Sequence, residues 1–442
     1  MAKEKLSFAC GCCDKRYQKW QGSCFGCGEI NTISEILSFS YGEQRTKKSV
    51  LLIEDVLIEK KHEPVPTGIA EFDRVLGGGL VPSSVILLVG NPGIGKSTFL
   101  LQIVSALSDA KKILYIATEE DEVQIKLRLL RLHNKKLNWF IVQQTDFNLI
   151  LETILIEQPE IVIIDSLQNI NFGSDFLANQ IQKIKTVTQK LVEDAKTRKY
   201  TLILTGHVTK DGEIAGPKTV EHLVDTVLYF DAEHQSNLRI LRSTKNRFGP
   251  IDEVGFFLMT EQGIIECQNP QEIFIEQSEP TIGAALTWIK EGSREFLVEI
   301  QTLLVPAKGH TPQRVVQGVE HKQFLLLCAI IEKYLHIPLY DFDIFFKIRG
   351  NIKSKETHID MSIVASILSS YFHKTTKQKV VYSGEINLSG NVTTKNLPKK
   401  IPFKKYGIDA MVVGILPEER TSDAFYKMIT SVLAIKKIFD QH

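Results

Sequence analysis

The chain reads as an α/β protein whose central part is a mainly parallel sheet, with a small cysteine-rich module before it and a helix–strand mixture after it. Three observations predict this. Short β-branched runs alternate with helical stretches from about Glu63 to Ile275, the pattern of a parallel sheet covered on both faces. The first of these runs ends in a glycine-rich loop that opens a helix. Five of the seven cysteines fall within the first 27 residues. At 442 residues the chain is long enough for about three domains.

Residues 1–36 carry two Cys-x2-Cys pairs, Cys10/Cys13 and Cys24/Cys27, with ten residues between them. A tetrahedral Zn²⁺ takes four soft ligands, two from each short knuckle. Cys12 is a spare thiol that could replace a neighbour, and a disulfide framework is the competing reading. Residues 37–62 lack a periodic pattern and read as a linker.

Residues 63–275 form the next domain. Strands are expected over Ser84–Gly90, Lys112–Ala117, Trp139–Gln143, Glu160–Asp165 and Tyr200–Thr205, with helices over Ser97–Leu107, Glu122–Leu132, Leu149–Glu157 and Ala178–Lys196. Beyond Val208 the pattern turns to strands, at Thr226–Phe230, Leu238–Ser243 and Gly255–Leu258. Residues 282–442 form a third domain. Cys267 and Cys328 lie in apolar surroundings and read as packing residues.

The 53 Lys/Arg against 52 Asp/Glu exclude a uniformly basic nucleic-acid coat. From Thr281 onward, however, 22 basic residues face 15 acidic ones, and 12 face 3 between Phe345 and Lys405. That excess suggests a polyanion surface in the last domain, with Lys347, Arg349, Lys353, Lys355, Lys399 and Lys400 as candidates. A solvated lysine-rich face is the plainer reading. The longest apolar run, Phe324–Ile331, is too short to span a membrane, and the first residues lack the apolar stretch of a signal peptide. A cytoplasmic protein without a membrane partner is expected.

Gly90-Asn91-Pro92-Gly93-Ile94-Gly95-Lys96-Ser97-Thr98 is a complete phosphate-binding loop between an apolar strand and a helix. Its amides would surround the β-phosphate of ATP, Lys96 would add charge on the β/γ oxygens, and Ser97 would offer a hydroxyl to Mg²⁺. Asp165 ends an apolar strand and would join the Mg²⁺ shell. Glu119 and Glu120 end the strand after the loop's helix, and one of them could deprotonate the attacking water. Glu119 is the expected base and Glu120 the expected helix cap. His207, at another strand end, sits where a γ-phosphate sensor would. Lys210 and Lys218 follow on a glycine-containing loop suited to contact a DNA backbone. Lys245 and Arg247, spaced i, i+2 on an extended segment, would point the same way. They could reach a γ-phosphate held by a neighbouring subunit, or DNA in the channel of a ring.

Taken together these motifs resemble the bacterial RadA (Sms) DNA-repair ATPases over nearly the whole chain. The matching pieces are the cysteine pairs with Trp20, then Gly77-Gly78-Gly79, then His207 through Lys218. Glu221-His222-x-Val224-Asp225 and the Lys245-Asn246-Arg247-Phe248-Gly249 signature complete the set. The resemblance implies a RecA-like ATPase core between a zinc finger and a domain similar to the Lon protease domain. It also implies binding of single-stranded and branched DNA, a hexameric ring, and work beside a RecA-type recombinase in DNA repair. The C-terminal match is weaker, because Gly384–Gly390 fits the family turn but no Pro-Ser-Ala-Gly nucleophile motif is present. Ser362 and Lys399 are the nearest to a dyad, without a matching framework. The leading expectation is a DNA-dependent ATPase that drives branch migration. The alternatives are an ATP switch that loads other recombination proteins and, weakest, an ATP-dependent protease.

Overall fold

The computed structural model describes residues 5–10, 15–17, 19–30, 33–38, 63–132, 138–171, 180–207, 220–232, 237–251, 253–275, 280–309, 311–350, 352–376, 378–415 and 425–440. The chain divides into two units, Met1–Glu59 and Lys60–His442.

In the first unit, β1 (Lys5–Cys10) pairs antiparallel with β2 (Arg16–Tyr17) and with β3 (Ile33–Ser38). Leu37 and Ser38, expected in the linker, instead pair with Leu6 and Lys5. The cysteine-rich module thus extends past residue 36, because the strand ladder binds those two residues to β1.

The second unit opens on α1 (Ala70–Leu76) and then a nine-stranded sheet. Its strands are β4 (Val85–Gly90), β5 (Ile113–Ala117), β6 (Phe140–Gln143), β7 (Ile161–Asp165), β8 (Thr201–His207), β9 (Thr226–Ala232), β10 (Leu238–Asn246), β11 (Val254–Thr260) and β12 (Gly263–Glu266). Their order is β12-β11-β10-β9-β4-β8-β7-β5-β6. The six strands from β9 to β6 run parallel, and β10 to β12 return antiparallel. β4 is buried at every position, as a strand covered on both faces must be. Alternate residues enter opposite layers. Ile86 and Leu88 join the side packed by α1, α2 (Lys96–Leu107) and α3 (Glu122–Arg131). Val85, Leu87 and Val89 join the side packed by α4 (Phe147–Glu157) and α5 (Gln180–Arg198). α4 starts two residues before the expected Leu149, because Asp146 accepts the amides of Asn148 and Leu149 as its cap. Cys267 and Cys328 are both buried, and burial pushes the Cys328 thiol up to about 12.

After α6 (Gln271–Phe274) the strands β13 (Ala284–Glu291) to β21 (Tyr426–Met428) follow. They include a seven-stranded mixed sheet against which α8 (Asp360–Phe372) lies buried, with α7 (His321–Leu335) and α9 (Val432–Asp440) packed on it. This sheet shares one hydrophobic cluster with the antiparallel side of the first: Leu238, Ile240 and Phe256 pack with Phe274, Phe296 and Val298. The turn from β13 into β14 (Arg294–Pro306) is tied down by buried polar bonds. Ser293 donates its amide to Glu253 at 2.7 Å, and Arg294 donates to Glu71 of α1 at 2.5 Å. Both acids are almost fully buried, and their pairing is what makes that burial tolerable. Among the described residues no helix is long and apolar enough to cross a membrane.

Candidate functional site

The glycine-rich loop leaves β4 at Gly90 and enters α2 at Lys96. Gly90 passes so close to β9 that a Cβ there would lie 2.5 Å from the Phe230 carbonyl oxygen. Gly95, the residue before the helix, has φ +111°, a conformation that L side chains rarely adopt. The first amides of α2 lack intrahelical partners and point out of its N-terminus, where the helix dipole favours an anion. Lys96 is buried, and its ammonium donates to the carbonyls of Gly90 at 2.8 Å and Asn91 at 3.1 Å. It also lies 3.3 Å from His207 Nδ1. Burial lowers its pKa, against the opposing pull of the Asp165 and Glu119 carboxylates.

Because β4, β5, β7 and β8 run parallel, their carboxyl ends meet at one edge of the sheet. That edge gathers Lys96, Glu119, Asp165 and His207, and Ser97, Glu119, Glu120 and Asp165 line one small pocket. Asp165 accepts hydrogen bonds from the hydroxyls of Tyr115 at 2.8 Å and Thr205 at 2.6 Å. Burial, and then the charge of Asp165, hold the Tyr115 phenol well above its ordinary pKa. Glu119 Oε1 accepts from the Ser166 hydroxyl at 2.5 Å and lies 3.0 Å from His207 Nε2. Burial pushes this carboxyl up, but Ser166, His207 and Lys96 outweigh it and hold it below the ordinary value. Glu120 instead pairs with Arg128 of α3 at 2.5 Å, while Asp121 caps that helix.

Lys245 and Arg247 lie elsewhere. The strand expected to stop at Ser243 runs on to Asn246, with a bulge between Ser243 and Lys245. Lys245 donates to the carbonyls of Glu221 and Val224, at 2.7 and 2.8 Å. Arg247 bonds Asp225 at 3.1 Å, and the other oxygen of Asp225 accepts the Val85 amide and the Lys196 ammonium. Both cations therefore sit at the start of β4, whereas the glycine-rich loop begins at its end. Five residue-to-residue steps of strand lead from Val85 to Gly90, roughly 16 Å at about 3.3 Å per step.

Lys210, Lys218 and Cys13 lie outside the described residues, as does the side chain of Cys10. Cys24 is buried, its sulfur 3.3 Å from the Gly26 amide and 3.1 Å from the Tyr17 hydroxyl, while Cys27 is exposed in the same tight turn. A sulfur that accepts an amide two residues on fits the donor set of a zinc knuckle. Among the described residues no group of three or more His, Cys, Asp or Glu forms a metal cluster. Ser97 and Asp165, on the pocket beside Lys96, fit the oxygen donors Mg²⁺ prefers.

In the last domain Lys347, Lys353, Lys355, Lys399 and Lys400 are exposed. Arg349 is half-buried, 3.8 Å from the Glu299 carboxylate. Ser362 is fully buried in α8 and donates to the Ile359 carbonyl at 2.6 Å.

Sequence reasoning passed over Ser166, Thr118, Tyr115, Thr205 and Asp225. Ser166 and Thr118 adjoin Asp165 and Glu119 in the chain, which is the only local signal they carry. Asp225 lies inside a matched motif but shows its role only as a buried acceptor.

The family model described as ATPase: KaiC matches residues 65–139. The DNA repair protein RadA of Bacillus subtilis is 40% identical over 407 residues, 89% of this chain and 88% of that one. That of Aquifex aeolicus is 36% identical, covering 92% and 93%. That of Helicobacter pylori is 34% identical, covering 97% and 98%. A solved KaiC-like protein of Pyrococcus horikoshii covers 46% of this chain at 21% identity with a TM-score of 0.40.

Proposed function

The chain belongs to the DNA repair protein RadA family and carries that family's ATPase core, and from this premise we propose that it is a DNA-dependent ATPase driving branch migration of recombination intermediates. The observation that carries the reading is the meeting of Lys96, Ser97, Glu119, Asp165 and His207 at one sheet edge. ATP would lie over the first turn of α2, with Lys96 moving from the loop carbonyls to the β/γ-phosphate oxygens. Ser97 and Asp165 would hold Mg²⁺, which neutralises charge on those oxygens when bound. Glu119 would take a proton from the water that attacks the γ-phosphorus as the bond to the β-phosphate oxygen breaks. His207 would report the γ-phosphate to both Lys96 and Glu119. Both carboxylates line the pocket, but Glu120 is engaged by Arg128 whereas Glu119 meets His207, which in turn meets Lys96, and that link to the loop lysine supports Glu119 as the base.

Lys245 and Arg247, remote from their own loop, would complete the site of a neighbouring subunit in a ring, which we take as a hexamer. The exposed C-terminal lysines would contact single-stranded and branched DNA, with a RecA-type recombinase as partner. Burial of Ser362 supports reading the Lon-like domain as a scaffold and not a protease. Cys10, Cys13, Cys24 and Cys27 would bind one structural Zn²⁺.

A three-strand DNA branch incubated with the purified protein tests this. Strand exchange in ATP, lost with a non-hydrolysable analogue and in Lys96→Ala, is expected. Glu119→Gln should bind ATP yet turn over about 10²–10⁴-fold more slowly. Equal branch movement with the analogue would overturn the motor and favour an ATP switch that loads other proteins.

A further inference from the structure

The end of β5 and the end of β7 are joined by more than their ladder. Thr118 donates its amide to the Asp165 carbonyl at 2.9 Å. Its hydroxyl accepts the Ser166 amide at 2.7 Å and donates to the Ser166 carbonyl at 2.8 Å. One side chain thus clamps both polar groups of the Ser166 backbone. Ser166 itself is completely buried, so its hydroxyl has a fixed origin and a fixed target, Glu119 Oε1 at 2.5 Å.

His207 approaches the same oxygen. Its Nδ1 faces the Lys96 ammonium, which can only donate, so Nδ1 is the acceptor and Nε2 carries the proton given to Glu119. Oε1 therefore receives two donors. Among the described residues Oε2 receives none. A glutamate has three rotatable bonds and a broad terminal torsion, so an untethered carboxylate would present either oxygen in many directions. The two donors remove that freedom from one oxygen and leave the other to meet a water.

We propose that Ser166 is a positioning residue for ATP hydrolysis: clamped by Thr118, it pins Oε1 of Glu119 so that Oε2 is presented to the attacking water. The proposal rests on Glu119 being the base. It differs from a structural role because Ser166 makes no bond to the phosphate loop or to Lys96. Its loss should therefore change the chemical step and leave ATP binding alone. Misplacing a reacting group by about 1 Å can lower a rate roughly 10²-fold, and His207 remains as a second anchor, so a fall of about 10–100-fold is expected.

The experiment compares steady-state ATP turnover by the full-length protein, its Ser166→Ala, Glu119→Gln and combined variants, with DNA present. ADP affinity and thermal unfolding are measured beside it. Ser166→Ala should lower kcat at least about tenfold with KM for ATP within about twofold of native, and the combined variant should be no slower than Glu119→Gln alone. Should Ser166→Ala fold poorly, Thr118→Ser keeps the clamp and Thr118→Val removes it, and only the second should be slow. Slow Glu119→Gln beside native turnover in Ser166→Ala overturns the positioning role and spares the base. Independent, multiplying losses in the combined variant overturn it too. Native turnover in Glu119→Gln overturns the base, and the positioning role with it.

Discussion

Arg247→Ala separates a role in folding from a role in catalysis, because the two carry very different expected sizes. The guanidinium is 57% exposed where it meets Asp225, which is 5% exposed. A pair with one solvated partner contributes about 0–1 kcal/mol. After the substitution Asp225 keeps the Val85 amide at 2.9 Å and Lys196 at 2.5 Å, so no buried charge is stranded. Thermal unfolding should therefore shift by a few degrees at most. A finger acting on the next subunit's γ-phosphate would instead be worth about 10³–10⁵ in turnover. Its own phosphate loop is excluded as the target by the position of Arg247 at the opposite end of β4 from Lys96. The assay measures ATPase of Arg247→Ala alone and mixed in increasing proportion with Lys96→Ala. Each parent should be inactive, and mixed assemblies should regain turnover where a Lys96→Ala subunit lends its arginine to an intact loop. Turnover of Arg247→Ala within about threefold of native, or no recovery in assemblies shown to mix, would refute the reasoning.

Three further outcomes follow from the remaining parts of the chain. Metal analysis should find one zinc per chain, and Cys24→Ser should lower it toward zero, since the buried sulfur of the turn would be a ligand. Burial raises Asp360 to about 6 from 3.8, against hydrogen bonds from Gln323 and the Ile386 amide, with Glu385 adding to the rise. A carboxyl that binds its proton more tightly when folded contributes stability fully present below about pH 4 and lost as pH climbs through 6, an order of about 3 kcal/mol. Denaturant midpoints measured from pH 4 to 7 should show this fall in the native protein and a flatter profile in Asp360→Asn. Charge reversal at Lys353, Lys355 and Lys399 together should weaken DNA binding at all sequences and flatten its salt dependence, leaving DNA-free ATPase intact. Reversal of Arg349 should matter less for DNA and more for stability, because it already faces Glu299.

The proposed site and the parallel sheet are legible in the residue order. The proposed phosphate loop is nine consecutive residues, so its pattern can be read from their order, and the alternation of strand and helix announces a parallel sheet. Parallel strands also bring their carboxyl ends to one edge, which is why Glu119, Asp165 and His207 could be grouped although 88 residues separate the first from the last. What the linear order could not carry was decided by partners distant in the chain. Glu119 and Glu120 are equivalent as letters, and distant partners distinguish them: Arg128 on α3 engages Glu120, while Ser166 and His207 engage Glu119. For Lys245 and Arg247 the residue order points to a neighbouring subunit and carries no signal of which end of the sheet they occupy. Yet β10 runs antiparallel to β9, and that reversal places them at the start of β4, beside Asp225 and away from Lys96. Residue type and short spacing are local properties, so the linear order already names the groups able to do chemistry. Which of them meet depends on the fold, since hydrogen bonds and ion pairs reach only about 3–4 Å and the sheet order sets who stands within that reach.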